Sequence, residues 1–261
     1  MLKDRGAVMK ILITNDDGIY AEGLFAMARE ISKIAKVTIV APDRERSATA
    51  HAITMHKPLR VERVNLHDCH VESWMVNGTP SDCVKLALDA LLNDVPDLVL
   101  SGINRGPNLG TDVIYSGTVS AAIEAAIYGI PAVAFSVAAY ENVSYDYPAR
   151  FARKLCVSVM EKEFPKDTLL NVNIPPLDEE DIAGVLITHL GSRKYKNCFD
   201  RRQDPRGKTY YWLAGEAVED LDDTGSDVWA IKNNYISITP IHFDLTNYEV
   251  IDTIKQWELK P

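Results

Sequence analysis

The 261-residue sequence predicts an α/β fold, a mostly parallel sheet doubly wound with helices on both faces. Three observations carry that expectation. Short apolar runs at 10–14, 36–41, 97–101 and 132–136 each stop at a polar, Pro or Gly break, as buried strands do. Segments with apolar residues at helical spacing lie between them. Strand, helix and strand also recur within about thirty residues, the size of a βαβ unit, which imposes parallel pairing and a right-handed crossover.

The elements follow in order. Lys10-Ile-Leu-Ile-Thr14 is an apolar strand that stops at Asn15-Asp-Asp-Gly18. Leu24, Met27, Ala28 and Ile31 then form the single apolar stripe of a helix. The second strand, 36–41, closes at Pro42-Asp43. Thr79 and Pro80 suit an N-cap and a first helical position, with Asp82 completing a capping box. Val84, Ala87, Leu88 and Leu91 give that helix its stripe, and 97–101 is the next strand. Residues 102–117 read as a polar, Gly-rich loop. Val119, Ala122, Ile123 and Ala126 follow as a helix that Gly129 and Pro131 terminate, and 132–136 is the strand after it. A helix over 148–163 and a strand over 169–174 complete the expected core.

From Gly184 onward the grammar changes. Strand-like pieces at 185–189, 208–212 and 235–239 alternate with charged stretches, and a terminal helix carries Val250, Ile254 and Trp257. The expected organisation is a leader at 1–8 with Met9 as an alternative start, a core at 9–183, and a β-rich segment with terminal helix at 184–261. The last segment has a thin core of its own, so we expect it to pack on a partner subunit.

Composition limits the function. With 46% hydrophobic and 25% charged residues the chain has an ordinary globular profile. Its 28 basic and 37 acidic residues give a net charge of −9, the wrong sign for a general nucleic-acid binder. A small anionic substrate stays open, because one local site can oppose the net charge. The cysteines, Cys69, Cys83, Cys156 and Cys198, form no CxxC pair and read as reduced thiols of a cytoplasmic protein. Neither a signal-peptide h-region nor a stretch long enough to span a membrane is present.

In a doubly wound sheet, ligands bind outside the carboxyl ends of the strands, at a switch point. Three polar loops are expected there: Asn15–Gly18, residues 43–47 and residues 101–110. Asp16 and Asp17 are the sharpest feature, because adjacent carboxylates repel unless a cation neutralises them. Oxygen ligands favour Mg²⁺ or Mn²⁺ over zinc. A solvated turn is the alternative, and the predicted placement favours the metal. Ser47 and Asn104 are neutral oxygen donors able to complete such a shell, although each alone suits an ordinary turn. The Gly-rich loop, with Asn108, Ser116 and Thr118, leads into a helix N-terminus and suits phosphate; a structural turn is its alternative, since it matches neither GxGxxG nor the P-loop. His51 and His56 match no zinc spacing and read as loop or surface side chains, with substrate contact the alternative. Arg44-Glu45-Arg46 reads as a solvated loop from which one arginine can reach a phosphate. No nucleophile elbow or reactive-cysteine context supports covalent Ser or Cys catalysis.

Five blocks then carry a resemblance: residues 10–18, Val40-Ala-Pro-Asp-Arg-Glu-Arg-Ser47, Asn77-Gly-Thr-Pro-Ser-Asp82, Ser101-Gly-Ile-Asn-Arg-Gly-Pro-Asn108 and Tyr115-Ser-Gly-Thr-Val-Ser-Ala-Ala122. In that order they resemble the SurE family of metal-dependent 5′/3′-nucleotidases. Residues 238–246 are similar to the family as well. The resemblance implies a Rossmann-like core and a C-terminal segment exchanged between subunits of a homodimer or homotetramer. It also implies one divalent ion on Asp16, Asp17, Ser47 and Asn104, with phosphate contacts from Asn108 and Ser116. Nucleoside monophosphates, and short polyphosphate in some members, are the substrates implied. A histidine found after the Asp-Leu-Thr run in some members is Tyr248 here.

The expected chemistry is hydrolysis by a metal-activated water, with Asp17 orienting or deprotonating it and Asn108 and Ser116 stabilising the phosphate. The rivals are a nucleotide-binding sensor without turnover and a phosphatase forming an aspartyl-phosphate. The latter usually carries DxD rather than Asp-Asp.

Overall fold

The computed structural model describes residues 8–66, 71–257 and 259. The expected leader lies outside them apart from Val8, and Cys69 lies outside them too.

The alternation in Lys10–Thr14 (β1) sets the layering. Ile11 and Ile13 enter one buried cluster and Leu12 enters another, one on each face of the sheet. Glu22–Ile31 (α1) buries Leu24, Met27, Ala28 and Ile31 on the first face, as its stripe predicts. Lys36–Pro42 (β2) pairs parallel to β1. Val61–Arg63 (β3) and Glu72–Val76 (β4) extend that side, β4 parallel to β2 and β3 antiparallel to β4. Neither short strand showed in the sequence pattern.

Pro80–Leu86 (α2) starts as predicted: Thr79 Oγ1 accepts from the Asp82 N–H at 3.1 Å, and Asp82 accepts from the Thr79 N–H at 2.9 Å. A single π-helical turn, Ala87–Leu91, ends it. Leu98–Arg105 (β5) lies parallel to β1 on the other side. It continues through Arg105, where the sequence suggested loop, and its register against the next strand shifts between Ser101 and Asn104 around a cis Gly102–Ile103 peptide. A 3₁₀ turn, Gly110–Tyr115, then precedes Gly117–Ile127 (α3). So only part of 102–117 is a loop.

Ala132–Val137 (β6), Asp146–Glu161 (α4) and Thr168–Ile174 (β7) complete the parallel run. Helices α1 and α4 cover one face, α2 and α3 the other. Ala121, Ala122, Ala125 and Ala126 are all buried, and these small side chains let α3 sit close to the sheet.

Beyond residue 184 come Gly184–Ile187 (β8), Arg193–Lys196 (β9), Phe199–Gln203 (β10), Thr209–Leu213 (β11), Glu216–Glu219 (β12), Asp227–Lys232 (α5), Tyr235–His242 (β13) and Ile251–Lys255 (α6). The main sheet reads β3-β4-β2-β1-β5-β6-β7-β13-β8. Strand β13 runs antiparallel to β7 and parallel to β8, so the segment 184–261 supplies two strands of that sheet. The other four strands form two antiparallel ribbons, β10 with β11 and β9 with β12. Helix α6 is short: Val250 and Trp257 flank it, and with Ile254 they are exposed. The strand order reverses between β1 and β5, which is the switch point.

Candidate active site at the switch point

The loop after β1 is shaped by Asn15, not by the aspartates. Its buried side chain accepts from the Gly18 N–H at 3.2 Å and donates to the Gly18 carbonyl at 2.9 Å. That closed turn presents Asp16 and Asp17. The loop after β2 is bound to it by the Arg46 N–H, which donates to the Asp16 carbonyl at 2.7 Å. The end of β5 joins through the Arg105 N–H, 3.2 Å from Asp17 Oδ2. All three expected loops therefore converge.

Asp16 is 4% exposed and accepts a hydrogen bond from the Thr118 hydroxyl at the start of α3. Gly117 is required beside it, because a Cβ there would lie 2.9 Å from the Asp16 Cβ and 3.0 Å from Oδ2. Burial lifts the Asp16 carboxyl from its ordinary 3.8 to about 7; the Thr118 hydroxyl opposes the rise and the Asp17 charge adds to it. Asp17 is also pushed up by burial, against the Arg105 N–H and with the Glu45 charge. Among the described residues neither carboxylate has an ion-pair partner.

Asp16, Ser47, Asn104, Asn108 and Ser116 line one cavity of about 200 Å³. Asp17 lines the adjoining one, and Arg105 and Tyr140 line both. Ser47 is exposed and donates to Glu45 at 2.7 Å. The Asn104 amide nitrogen is held by the Gly106 carbonyl at 2.8 Å, leaving its oxygen for a ligand. Asn108 is clamped: its carbonyl accepts from Asn171 at 2.8 Å and Asn173 at 2.9 Å, and its amide donates to Ser136 at 2.8 Å. One amide hydrogen remains for a substrate. Ser116 caps α3, accepting from the Val119 N–H at 3.1 Å, so its hydroxyl hydrogen can point elsewhere.

The donor set fits a hard divalent cation. It combines a desolvated carboxylate, a second carboxylate and two neutral oxygens, with no thiolate or imidazole. Among the described residues no cluster of three or more His, Cys, Asp and Glu offers a softer alternative.

One expectation changes. Arg46 is not solvated: it pairs with Asp43 at 2.9 Å and donates to the Asn77 carbonyl at 3.2 Å, which brace the loop internally. His51 is a loop residue as expected, half-buried and bound to Glu124, and His56 is exposed as expected. The bond from Thr118 to Asp16 and the position of Tyr140 had no local signal. Glu124, a carboxylate inside an alanine-rich stripe, was a visible one. Cys83 and Cys156 are buried free thiols, Cys156 pushed by burial to about 12 and Cys83 also pushed up.

Comparison with known proteins identifies the family and the fold. A family profile described as survival protein SurE matches residues 11–197. A 5′-nucleotidase SurE of Heliobacterium modesticaldum is 54% identical, covering 95% of this chain and 92% of that protein. One of Pelotomaculum thermopropionicum is 53% identical, covering 95% of each. The crystal structure of a SurE protein from Aquifex aeolicus superposes with a TM-score of 0.84 at 42% identity, over 96% of this chain and 100% of that one.

Proposed function

The chain belongs to the SurE family, and from that premise we infer that it is a 5′-nucleotidase, hydrolysing the phosphate ester of nucleoside monophosphates. The observation that carries this at the site is the convergence of Asp16, Ser47, Asn104, Asn108 and Ser116 on one small cavity at the switch point. The family is metal-dependent, and we assign one divalent cation, Mg²⁺ or Mn²⁺, to Asp16, Asp17, Ser47 and Asn104. When bound, that cation supplies Lewis-acid chemistry, offsetting phosphoryl charge and making water more acidic.

The chain's own residues do the rest. Ser116, the free amide hydrogen of Asn108 and the first N–H groups of α3 hold the phosphate and meet its growing charge. Asp17 orients a water and takes its proton at a carboxylate oxygen. The water oxygen bonds phosphorus as the bond to the ester oxygen breaks, and the proton taken by Asp17 is returned to that ester oxygen through solvent, so the nucleoside leaves as the alcohol and Asp17 is again a carboxylate. An aspartyl-phosphate finds little support, because the Asp16 carboxylate is buried and engaged by Thr118. Compounds with the same terminal phosphoryl group, 3′-nucleotides and short polyphosphate, are further candidate substrates.

Two contextual readings belong here. We place the protein in the cytoplasm on its buried free thiols; among the described residues no helix is long and apolar enough to cross a membrane. We also propose a homodimer or homotetramer, with residues 184–261 as the assembling segment. Its support is strand β11, whose Tyr211, Trp212 and Leu213 are 59%, 59% and 78% exposed. Phosphate release from 5′-AMP, with and without EDTA, tests the activity: release that EDTA abolishes supports it, and no release in added Mg²⁺ or Mn²⁺ refutes it.

A further inference from the structure

Asn108 and Ser116 stand at the two ends of one short stretch of chain, and side chains from distant segments hold that stretch in place. At its start the Asn108 backbone is gripped by β7: its N–H donates to Asn173 Oδ1 at 2.8 Å, besides the two bonds its carbonyl accepts. Gly110, which begins the 3₁₀ turn, is gripped by Asp227. Its N–H donates to Asp227 Oδ2 at 2.8 Å, across 117 positions of sequence. The turn then ends at Ser116.

Asp227 is fully buried and has no ion-pair partner among the described residues. Three N–H groups meet its charge instead: Gly110 on Oδ2, and Gly191 and Val228 on Oδ1, each at 2.8 Å. A buried carboxylate is costly unless it is fully hydrogen-bonded, and here both oxygens must accept at once, which an amide cannot do. That geometry fixes the position of Gly110. Its φ is 52°, and a Cβ there would lie 2.4 Å from the Gly191 carbonyl oxygen. The turn thus sits directly on the chain at Gly191, and Asp227 ties the two together.

A second brace lies two residues further on. Arg193 donates to Asp112 Oδ2 at 2.8 Å, and the Tyr195 hydroxyl donates to the same oxygen at 2.5 Å. Asp112 lines the small cavity together with Asn108 and Ser116. Asp227, Gly191, Arg193 and Tyr195 all belong to the segment 184–261. The Asp16–Asp17 corner is tied instead to the loop after β2 and the end of β5. The phosphate side of the site and the metal side are therefore braced from different parts of the chain.

We propose that Asp227 is a positioning residue for the hydrolysis: by holding Gly110 it sets how Asn108 and Ser116 face the phosphate, without itself touching substrate or metal. That role rests on the nucleotidase reading above, and it gives the C-terminal segment a part in the site as well as in assembly.

Asp227→Asn in the full-length enzyme tests it. The amide oxygen can keep the bonds from Gly191 and Val228, which leaves the amide nitrogen facing the Gly110 N–H, two donors with no acceptor. Calorimetric titration with inorganic phosphate at saturating Mg²⁺ should show Kd raised about tenfold or more, and kcat/KM for AMP should fall by a similar factor. The Mg²⁺ concentration for half-maximal activity should stay within about twofold of wild type, a split that general loosening of the fold would not give. A folded Asp227→Asn with phosphate affinity and kcat/KM within about twofold of wild type would overturn the role, as would equal weakening toward Mg²⁺ and phosphate. If circular dichroism shows Asp227→Asn unfolded, Arg193→Met carries the test, because Glu219 keeps Lys232 at 3.1 Å and Asp112 keeps Tyr195. It should show the same split, and wild-type values for both phosphate and AMP would overturn the role. Wild-type enzyme that binds phosphate but releases none from AMP would refute the nucleotidase reading, and the phosphate Kd of the variants would still decide the positioning role.

Discussion

The imidazole Nε2 of His51 lies 2.6 Å from Glu124 Oε2, joining the loop that carries Ser47 to a buried carboxylate in the middle of α3. The loop needs such a tie. Ala48 and Ala50 hold φ values of 54° and 50°, a left-handed conformation that costs alanine about 1–2 kcal/mol per residue. The second tie is the Ala50 N–H, which donates to the Tyr115 carbonyl at 3.1 Å.

His51→Ala should therefore release the Ser47 loop while leaving the fold intact. Lys85, 3.7 Å from Glu124 Oε1, keeps that carboxylate paired. Losing one such hydrogen bond, about 1–2 kcal/mol, should lower Tm by about 2–6 °C. The metal concentration for half-maximal activity should rise severalfold. Calorimetry and a Mg²⁺ titration read the two effects; an unchanged titration would show that His51 does not position Ser47.

The raised Asp16 carboxyl makes the metal-stripped protein sensitive to pH. With about 7 when folded and 3.8 as the ordinary value, the folded state holds this proton more tightly. Its stabilising contribution is complete below about pH 4 and is lost as pH rises through about 7. Asp17 is shifted in the same direction. In EDTA, Asp16→Asn should be more stable than wild type at pH 8, with the gap closing toward pH 4. Urea denaturation at the two pH values measures this, and superimposable curves at pH 8 would refute it.

Gly117→Ala separates helix propensity from site geometry. Alanine favours the helix by up to about 1 kcal/mol, yet its Cβ would press on Asp16 from 2.9 Å. We expect a Tm within a few degrees of wild type and a kcat/KM for AMP about tenfold lower or worse. Unchanged kinetics would mean that the site tolerates a displaced Asp16.

These predictions draw on contacts of different legibility. Local chemistry reads directly from sequence: Thr79, Pro80 and Asp82 announce their capping box, and Asn15-Asp-Asp-Gly18 announces a strand end. The alternating βα grammar places Asp16, Ser47 and Asn104 at neighbouring strand ends, although Asn104 lies within the last residues of β5 rather than on a loop. What stayed hidden depends on distant partners. Thr118 reaches Asp16 across 102 residues and His51 reaches Glu124 across 73, and no local pattern encodes either. Strand β3 has three residues, too few for a period. Strand β5 runs on past Ser101 through Gly102 and Asn104, residue types that read as loop, because β6 pairs with it on both sides of its register shift. Arg46 looked solvated although Asp43, three residues before it, is one partner, because the other, the Asn77 carbonyl, lies 31 residues away.

Assembly has its own test. If strand β11 is covered by a second copy of the chain, Trp212→Asp with Leu213→Asp should lower the mass seen by light scattering. Both residues are exposed within the chain, so the altered protomer should still fold. A wild-type protein that scatters as a monomer would remove the proposal.

The Asp16–Asp17 corner is the centre of the account, and turnover of 5′-AMP by Asp16→Asn and Asp17→Asn tests it most directly. Both variants should keep the wild-type circular dichroism spectrum, because each exchange is isosteric. At saturating Mg²⁺ or Mn²⁺ each should turn over at least about 10²-fold more slowly than wild type. Folded variants that both release phosphate at near-wild-type rates would contradict the assignment of this corner as the hydrolytic centre.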